Sequence, residues 1–130
     1  MIVIDASAVL ELLFGTDKGR AVHVHVARAA SLHAPHLIDL EVAQVLRKSV
    51  LVGDMSDHRA TLAWNAFADL GIEGYAHRSL LTRIWALRDV CTAYDASYVA
   101  LAEVLDAPLL TCDARLFKAR TPGAQKILVS

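Results

Sequence analysis

The sequence predicts a single α/β domain with a mostly parallel central sheet and helices on both faces. Short apolar runs such as Ile2-Val3-Ile4 alternate with helical patterns along all 130 residues, and this alternation is typical of parallel sheets with helical crossovers. Because the runs are apolar at successive positions, we expect strands that are covered on both faces. The length fits one domain, residues 1–130.

The elements follow from local signals in chain order. The first strand, residues 2–5, ends in Asp5 and leads directly into a short helix that Gly15 stops. Thr16 or Asp17 can cap the second helix through its side-chain oxygen. This second helix runs to about residue 30. The further strands are predicted at 32–34, 73–77 (weak), 109–111 and 126–129. The further helices are predicted at 36–51, from Ser56 or Asp57 to 70, from Ser79 to 88, at 93–106 with Thr92 as cap, and at 114–119.

Composition excludes some classes of function. The formal net charge of −1 predicts no general affinity for nucleic acid or membranes, although a local basic face is compatible with it. No apolar run approaches the roughly 18 residues that span a bilayer, and no basic leader precedes an apolar stretch. We therefore expect a cytoplasmic protein with no membrane partner, in which Cys91 and Cys112 are reduced thiols.

Four carboxylates fall where the predicted fold brings them together. Asp5 and Asp113 each follow a strand, and Glu41 and Asp95 lie in the first turns of helices that can abut the same edge. Each has an ordinary explanation alone: a helix N-cap, a capping box with Thr92, or a rim position. Together they would repel one another, and a divalent cation would resolve that repulsion. Mg²⁺ or Mn²⁺ prefers such oxygen ligands and supports hydrolysis of phosphodiesters.

The stretches that carry these residues resemble the four acidic blocks of PIN-domain ribonucleases, most closely the VapC toxins of mycobacterial-type toxin–antitoxin pairs. In chain order they read MIVIDASAVLELL, PHLIDLEVAQVLRK, TAYDASYVALAE and PLLTCDARL. The resemblance covers nearly the whole chain. It implies a PIN fold, Mg²⁺- or Mn²⁺-dependent endonucleolytic cleavage of RNA, a homodimer, and a VapB-like antitoxin that inserts into or lies over the acidic site.

The resemblance also implies roles for individual residues. The catalytic and metal-binding positions match Asp5, Glu41, Asp95 and Asp113. Thr111 is counted with the catalytic residues, because it matches a position that often bears a hydroxyl group and orients the cluster. Ser7 matches a small polar position after the first aspartate and is a candidate for binding the substrate.

Basic groups beside the acidic blocks are candidates for binding the substrate phosphate. Arg88 and Arg115 each flank one block. The alternative for both is solvated surface, or an ion pair with Asp89 or Asp113.

Three aromatic residues lie on apolar helical faces, where we expect them to pack in the core: Trp64, Phe67 and Trp85. The helices before residue 71 can also supply a groove for a second copy or an antitoxin.

Two other functions fit the same pattern. A phosphoacceptor signalling domain is also a parallel α/β sheet with aspartates at strand ends, and Lys126 would be its late lysine. It disagrees with the acidic helix around Glu41 and with the single aspartate after the first strand. An inactive PIN-like binding module is the other alternative. The sequence does not define which RNA is cut or how many metal ions bind.

Overall fold

The computed structural model describes residues 1–130 and contains one five-stranded sheet, in which every pair of neighbouring strands is parallel. The strands are β1 (Ile2–Ile4), β2 (Leu32–Pro35), β3 (Glu73–Tyr75), β4 (Leu109–Thr111) and β5 (Lys126–Leu128). Their order across the sheet is β3-β2-β1-β4-β5, so β1 is central. The predicted α/β class with a parallel sheet is confirmed.

Seven α-helices connect and flank the strands. They are α1 (Ala6–Phe14), α2 (Asp17–Arg28), α3 (Leu37–Leu51), α4 (Asp57–Asp69), α5 (Leu81–Ala86), α6 (Ala93–Leu105) and α7 (Ala114–Lys118). A short 3₁₀ turn, Arg78–Leu80, precedes α5. None of these helices is both long enough and apolar enough to cross a bilayer.

Both faces of the sheet are covered. Val3 and Ile4 on β1 are fully buried, as are Leu109 and Leu110 on β4. Because successive side chains of a strand point to opposite faces, their joint burial requires packing on each side of the sheet. Helix α6 supplies much of this packing, since every residue from 96 to 102 is buried.

Local helix signals were mostly correct, with one exception. Thr16, Ser56 and Thr92 accept backbone hydrogen bonds at the starts of α2, α4 and α6, as predicted. Ser79 was predicted to cap the next helix, and that prediction is wrong. Ser79 lies inside the 3₁₀ turn, and α5 begins without a side-chain cap.

Two of the three aromatic residues expected in the core lie at the surface. Phe67 is buried, whereas Trp64 is 41% exposed and Trp85 is 69% exposed. Trp64 packs beside Phe67 and lines an apolar groove of about 360 Å³ between α3 and α4. Trp85 lies on α5, a helix with no buried residue, so its apolar pattern did not indicate a buried face.

Candidate active site

The central strands place the first two groups of the site. Ile4 on β1 pairs with Leu110 on β4, so the next residues, Asp5 and Thr111, leave the sheet side by side. The Thr111 hydroxyl donates to Asp5 Oδ2 at 2.5 Å. This contact fixes one carboxylate at the carboxyl edge of the sheet, where parallel α/β folds bind ligands.

The other carboxylate oxygen of Asp5 caps the start of helix α1. Asp5 Oδ1 accepts from the Ser7 hydroxyl at 2.7 Å and from the Ala8 amide at 2.9 Å, which makes Asp5 the N-cap of α1. Ser7 Oγ in turn accepts from the Cys112 amide at 2.9 Å. Ser7 thus holds the edge of β4 to the start of α1. Burial raises the pKa of Asp5, and the hydrogen bonds from Thr111, Ser7 and Ala8 oppose that rise.

Glu41 approaches the same edge from α3. Its Oε1 accepts from the hydroxyl of Tyr98 on α6 at 2.6 Å, and the phenol itself is buried. Burial raises the pKa of Glu41, the Tyr98 bond lowers it, and repulsion from Asp5 and Asp95 raises it further. The carboxylates therefore interact electrostatically although they come from different elements.

Asp95 and Asp113 form the outer part of the site. Asp113 is the N-cap of α7, and Asp95 lies in the first turn of α6, where its amide donates to Thr92 Oγ1. Arg115 joins the two, with Nη2 3.2 Å from Asp95 Oδ2 and 3.5 Å from Asp113 Oδ2. Burial raises the pKa of Asp95, Arg115 opposes this, and the Asp113 charge adds to it. The sequence offered an ion pair with Asp113 as one alternative for Arg115. The structure contains that ion pair and a second one with Asp95.

The donor chemistry of the site fits a hard divalent cation. Its oxygen donors are the carboxylates of Asp5, Glu41, Asp95 and Asp113, which is the ligand type that Mg²⁺ and Mn²⁺ prefer. Burial is the largest cause that raises the pKa of Asp5, Glu41 and Asp95 from the ordinary value, so the folded chain makes the charged form of each carboxylate less favourable. As placed, no three of the His, Cys, Asp and Glu side chains lie close enough together to hold an ion.

A cavity of about 400 Å³ opens beside Asp95. Its volume lies within the range of small-ligand sites. Both arginines that the sequence singled out contribute to its wall, which is lined by Arg88, Asp89, Val90, Cys91, Thr92, Asp95, Arg115 and Ala119. Arg88 forms no ion pair with Asp89. Its Nη1 donates instead to the Trp85 carbonyl oxygen at 2.9 Å.

The structure argues against the phosphoacceptor alternative. The Lys126 amine donates to the carbonyl oxygens of Leu116 and Ala119 at 3.2 and 2.6 Å. Lys126 therefore ties β5 to the end of α7, and burial lowers its pKa there.

The two cysteines are free thiols near the site. Burial raises the pKa of both, that of Cys112 to about 11. Both thiols are therefore protonated at neutral pH, the form that is a poor nucleophile and a poor metal ligand.

Tyr98 is the site residue that the sequence reasoning missed. It lies three residues after Asp95 on a helix whose neighbouring positions are almost all apolar. A buried tyrosine needs a hydrogen-bond partner for its hydroxyl group, and that requirement was the available signal.

Comparison with known proteins identifies the family. The model of the PIN domain family matches residues 2–121. Ribonuclease VapC1 of Mycobacterium tuberculosis is 42% identical over 122 residues, which cover 93% of this chain and 90% of the relative. Ribonuclease VapC12 of the same species is 38% identical over 130 residues, and the match covers both proteins completely.

Solved structures show the same fold. A protein of Pyrobaculum aerophilum, PAE2754, superposes with a TM-score of 0.71 at 25% identity, covering 96% of this chain and 82% of its own. A chain of the VapBC2 complex of Rickettsia felis, crystallised with a promoter DNA fragment, gives a TM-score of 0.75 at 14% identity with full coverage of both. The match to the family model and the two mycobacterial relatives show that this chain belongs to the PIN-domain family and, within it, to the VapC ribonucleases.

Proposed function

We propose that the protein is a metal-dependent endoribonuclease that acts as the toxin of a toxin–antitoxin pair. The observation that carries the proposal is the set of carboxylates at one edge of the sheet, Asp5, Glu41, Asp95 and Asp113, three of which have raised pKa values. The names of the relatives support RNA as the substrate, because the proteins that match at 38 and 42% identity are called ribonucleases.

The residues divide into two tasks. Asp5, Glu41, Asp95 and Asp113 would hold one or two Mg²⁺ or Mn²⁺ ions. When bound, such an ion lowers the pKa of water and stabilises the charge that builds up on a phosphate. Thr111 and Ser7 keep Asp5 in position through the hydrogen bonds described above.

Arg88 and Arg115 would bind phosphate groups of the substrate. Arg88 has no carboxylate partner and lines the cavity beside Asp95, so its guanidinium is available to an RNA phosphate. Arg115 is 70% exposed and paired with Asp95 and Asp113, so it can exchange these partners for a phosphate at little cost.

We further propose an antitoxin partner and a homodimer. Two structural neighbours come from a VapBC complex and a toxin–antitoxin complex, which supports a VapB-like partner for this chain. In our proposal this partner inserts into or lies over the acidic site. Exposed apolar side chains supply surface for a partner or for self-association, among them Leu40, Leu51 and Val104.

RNA cleavage by the purified chain tests the proposal. We expect cleavage with Mg²⁺ or Mn²⁺, none with EDTA, and at least a roughly 100-fold loss of rate in both Asp5→Asn and Asp95→Asn, because each removes a metal-binding charge. Asparagine keeps the size of each side chain.

Asp69→Asn is the matched control, since Asp69 ends α4 and lies outside the site. Cleavage that survives both site substitutions would indicate a contaminant. A wild-type protein that cleaves no RNA pool with either metal would favour an inactive PIN-like binding module.

A further inference from the structure

An exposed indole and an unpaired guanidinium stand together next to the carboxylate site. Trp85 is 69% exposed, and the Arg88 guanidinium carbon lies 4.7 Å from the centroid of its ring. The hydrogen bond from Arg88 to the Trp85 carbonyl oxygen fixes the guanidinium from a second direction. Two contacts therefore hold the guanidinium against the tryptophan, although both side chains are exposed.

The position of this pair relates it to the substrate. Arg88 is part of the wall of the 400 Å³ cavity that also contains Asp95 and Arg115. An RNA strand with one phosphate beside Asp95 and Arg115 would bring a neighbouring nucleotide to Arg88. Aromatic rings and arginine planes that alternate with phosphate-binding groups are how proteins hold single-stranded RNA.

We propose that Trp85 and Arg88 form a stacking platform for a nucleobase next to the cleaved phosphate. Trp85 stacks on the base, and Arg88 contacts the adjoining phosphate while it remains over the indole. This inference rests on the proposed ribonuclease function and adds Trp85 to the residues that contact its substrate.

A second copy of the chain is the competing occupant of this surface. Burying Trp85 in a self-interface would also desolvate the guanidinium that lies over its ring, and Arg88 has no carboxylate partner within its own chain. An uncompensated buried charge is costly, whereas an RNA phosphate supplies the missing charge. The observations therefore favour RNA.

Tryptophan fluorescence tests the stacking directly. The chain has two tryptophans, so Trp64→Phe leaves Trp85 as the single reporter, and Asp5→Asn with EDTA prevents cleavage during a titration. We expect a short single-stranded RNA of mixed sequence to quench the Trp85 emission. The same RNA as a duplex should quench it far less, because its bases are already stacked.

Affinity measurements complete the test. Trp85→Leu should weaken binding of the single strand roughly 5- to 100-fold, and Trp85→Phe should retain most of the affinity. Arg88→Gln should weaken binding and reduce the salt dependence by about one phosphate contact. Sedimentation of each variant reports the oligomeric state.

The possible results test the stacking platform and the proposed ribonuclease activity separately. Unquenched emission, or wild-type affinity in Trp85→Leu, would overturn the platform even if metal-dependent cleavage is present. Loss of a dimer in Trp85→Leu with unchanged RNA affinity would assign this surface to self-association and also overturn it. Quenching by the single strand in a protein that cleaves no RNA would support the platform and contradict the nuclease.

Discussion

Thr111 connects two of the four acidic residues with a single hydroxyl group. It donates to Asp5 Oδ2, accepts from the Asp113 amide at 2.9 Å, and lies 3.3 Å from Ser7 Oγ. The residue is fully buried, so no water can take the place of these partners. The placement of Asp5 and the start of α7 therefore depend on the same oxygen atom.

Thr111→Val removes that oxygen at nearly constant volume. We expect the free energy of unfolding to fall by about 1–3 kcal/mol, because the buried Asp5 oxygen and the Asp113 amide each lose a partner. Calorimetric Mn²⁺ binding should weaken roughly tenfold, as is typical when a group that orients a ligand is lost.

Thr111→Ser is the control, since it keeps the hydroxyl group. It should lose some stability from the missing methyl group but keep the Mn²⁺ affinity. Equal affinities in Thr111→Val and the wild type would show that Asp5 needs no orienting partner.

Helix α6 links the site to the core. Its residues 96–102 are buried all round the helix, and Tyr98 among them reaches across to Glu41 on α3. The hydroxyl of Tyr98 thus fixes the distance between two helices that each contribute a carboxylate. Motion of α6 relative to α3 would change Glu41 and Asp95 together.

Tyr98→Phe tests this link between the helices. Glu41 loses its donor, so the pKa of Glu41 should rise further and its carboxylate should lose its fixed orientation. We expect Mn²⁺ affinity to fall roughly tenfold, while circular dichroism shows an unchanged fold.

Tyr94→Phe on the same helix is the matched control, because Tyr94 is exposed. Its Mn²⁺ affinity should equal that of the wild type. Similar affinities in both variants would mean that the Tyr98 hydroxyl does not position Glu41.

At the scale of the whole molecule, the negative charge is unevenly distributed. The net charge is only −1, yet Asp5, Glu41, Asp95 and Asp113 lie towards one edge of the sheet, where neighbouring negative charges contribute to the raised pKa values of Glu41 and Asp95. Burial and mutual repulsion raise the pKa of Glu41, so its charged form is less favourable in the folded chain than in the unfolded chain. Because the pKa of Glu41 is raised, its protonated form favours folding. This contribution to the free energy of unfolding is complete below the ordinary pKa of about 4, and it is lost as the pH rises through the raised pKa of the folded chain.

Glu41→Gln should therefore stabilise the metal-free protein at neutral pH. The glutamine oxygen can still accept from Tyr98, and the charge is gone. Thermal unfolding in EDTA should give a higher Tm for the variant than for the wild type at a pH of about 7, and the difference should close towards a pH of about 4. With Mn²⁺ the wild type should have the higher Tm, since the ion binds the wild type more tightly and therefore stabilises it more.

Glu103→Gln serves as the control, because Glu103 is ion-paired with Arg83 outside the site. It should not raise the Tm. A lower Tm for Glu41→Gln in EDTA at neutral pH would show that the charge at position 41 does not strain the fold.

Local patterns predicted the strands, most of the helix starts and the positions of Asp5 and Asp113 directly after strands, because a buried strand or a helix cap depends on a few neighbours in the chain. Contacts between distant segments were not predictable in the same way. The bond from Tyr98 to Glu41 exists only because α3 and α6 pass close together. The exposure of Trp85 depends on how α5 lies on the molecule, and its own apolar pattern gave the wrong answer.

Asp5 and Asp113 both cap a helix and both belong to the proposed metal-binding set, so in our proposal the same carboxylates serve folding and chemistry. Alanine at either position would confuse loss of structure with loss of activity. Asparagine caps a helix about as well as aspartate. At position 5 its amide nitrogen can donate to the Thr111 hydroxyl, which can rotate to accept it. Under the proposed function, Asp5→Asn is expected to be an inactive chain with an intact surface. It can be produced in living cells to capture the proposed antitoxin.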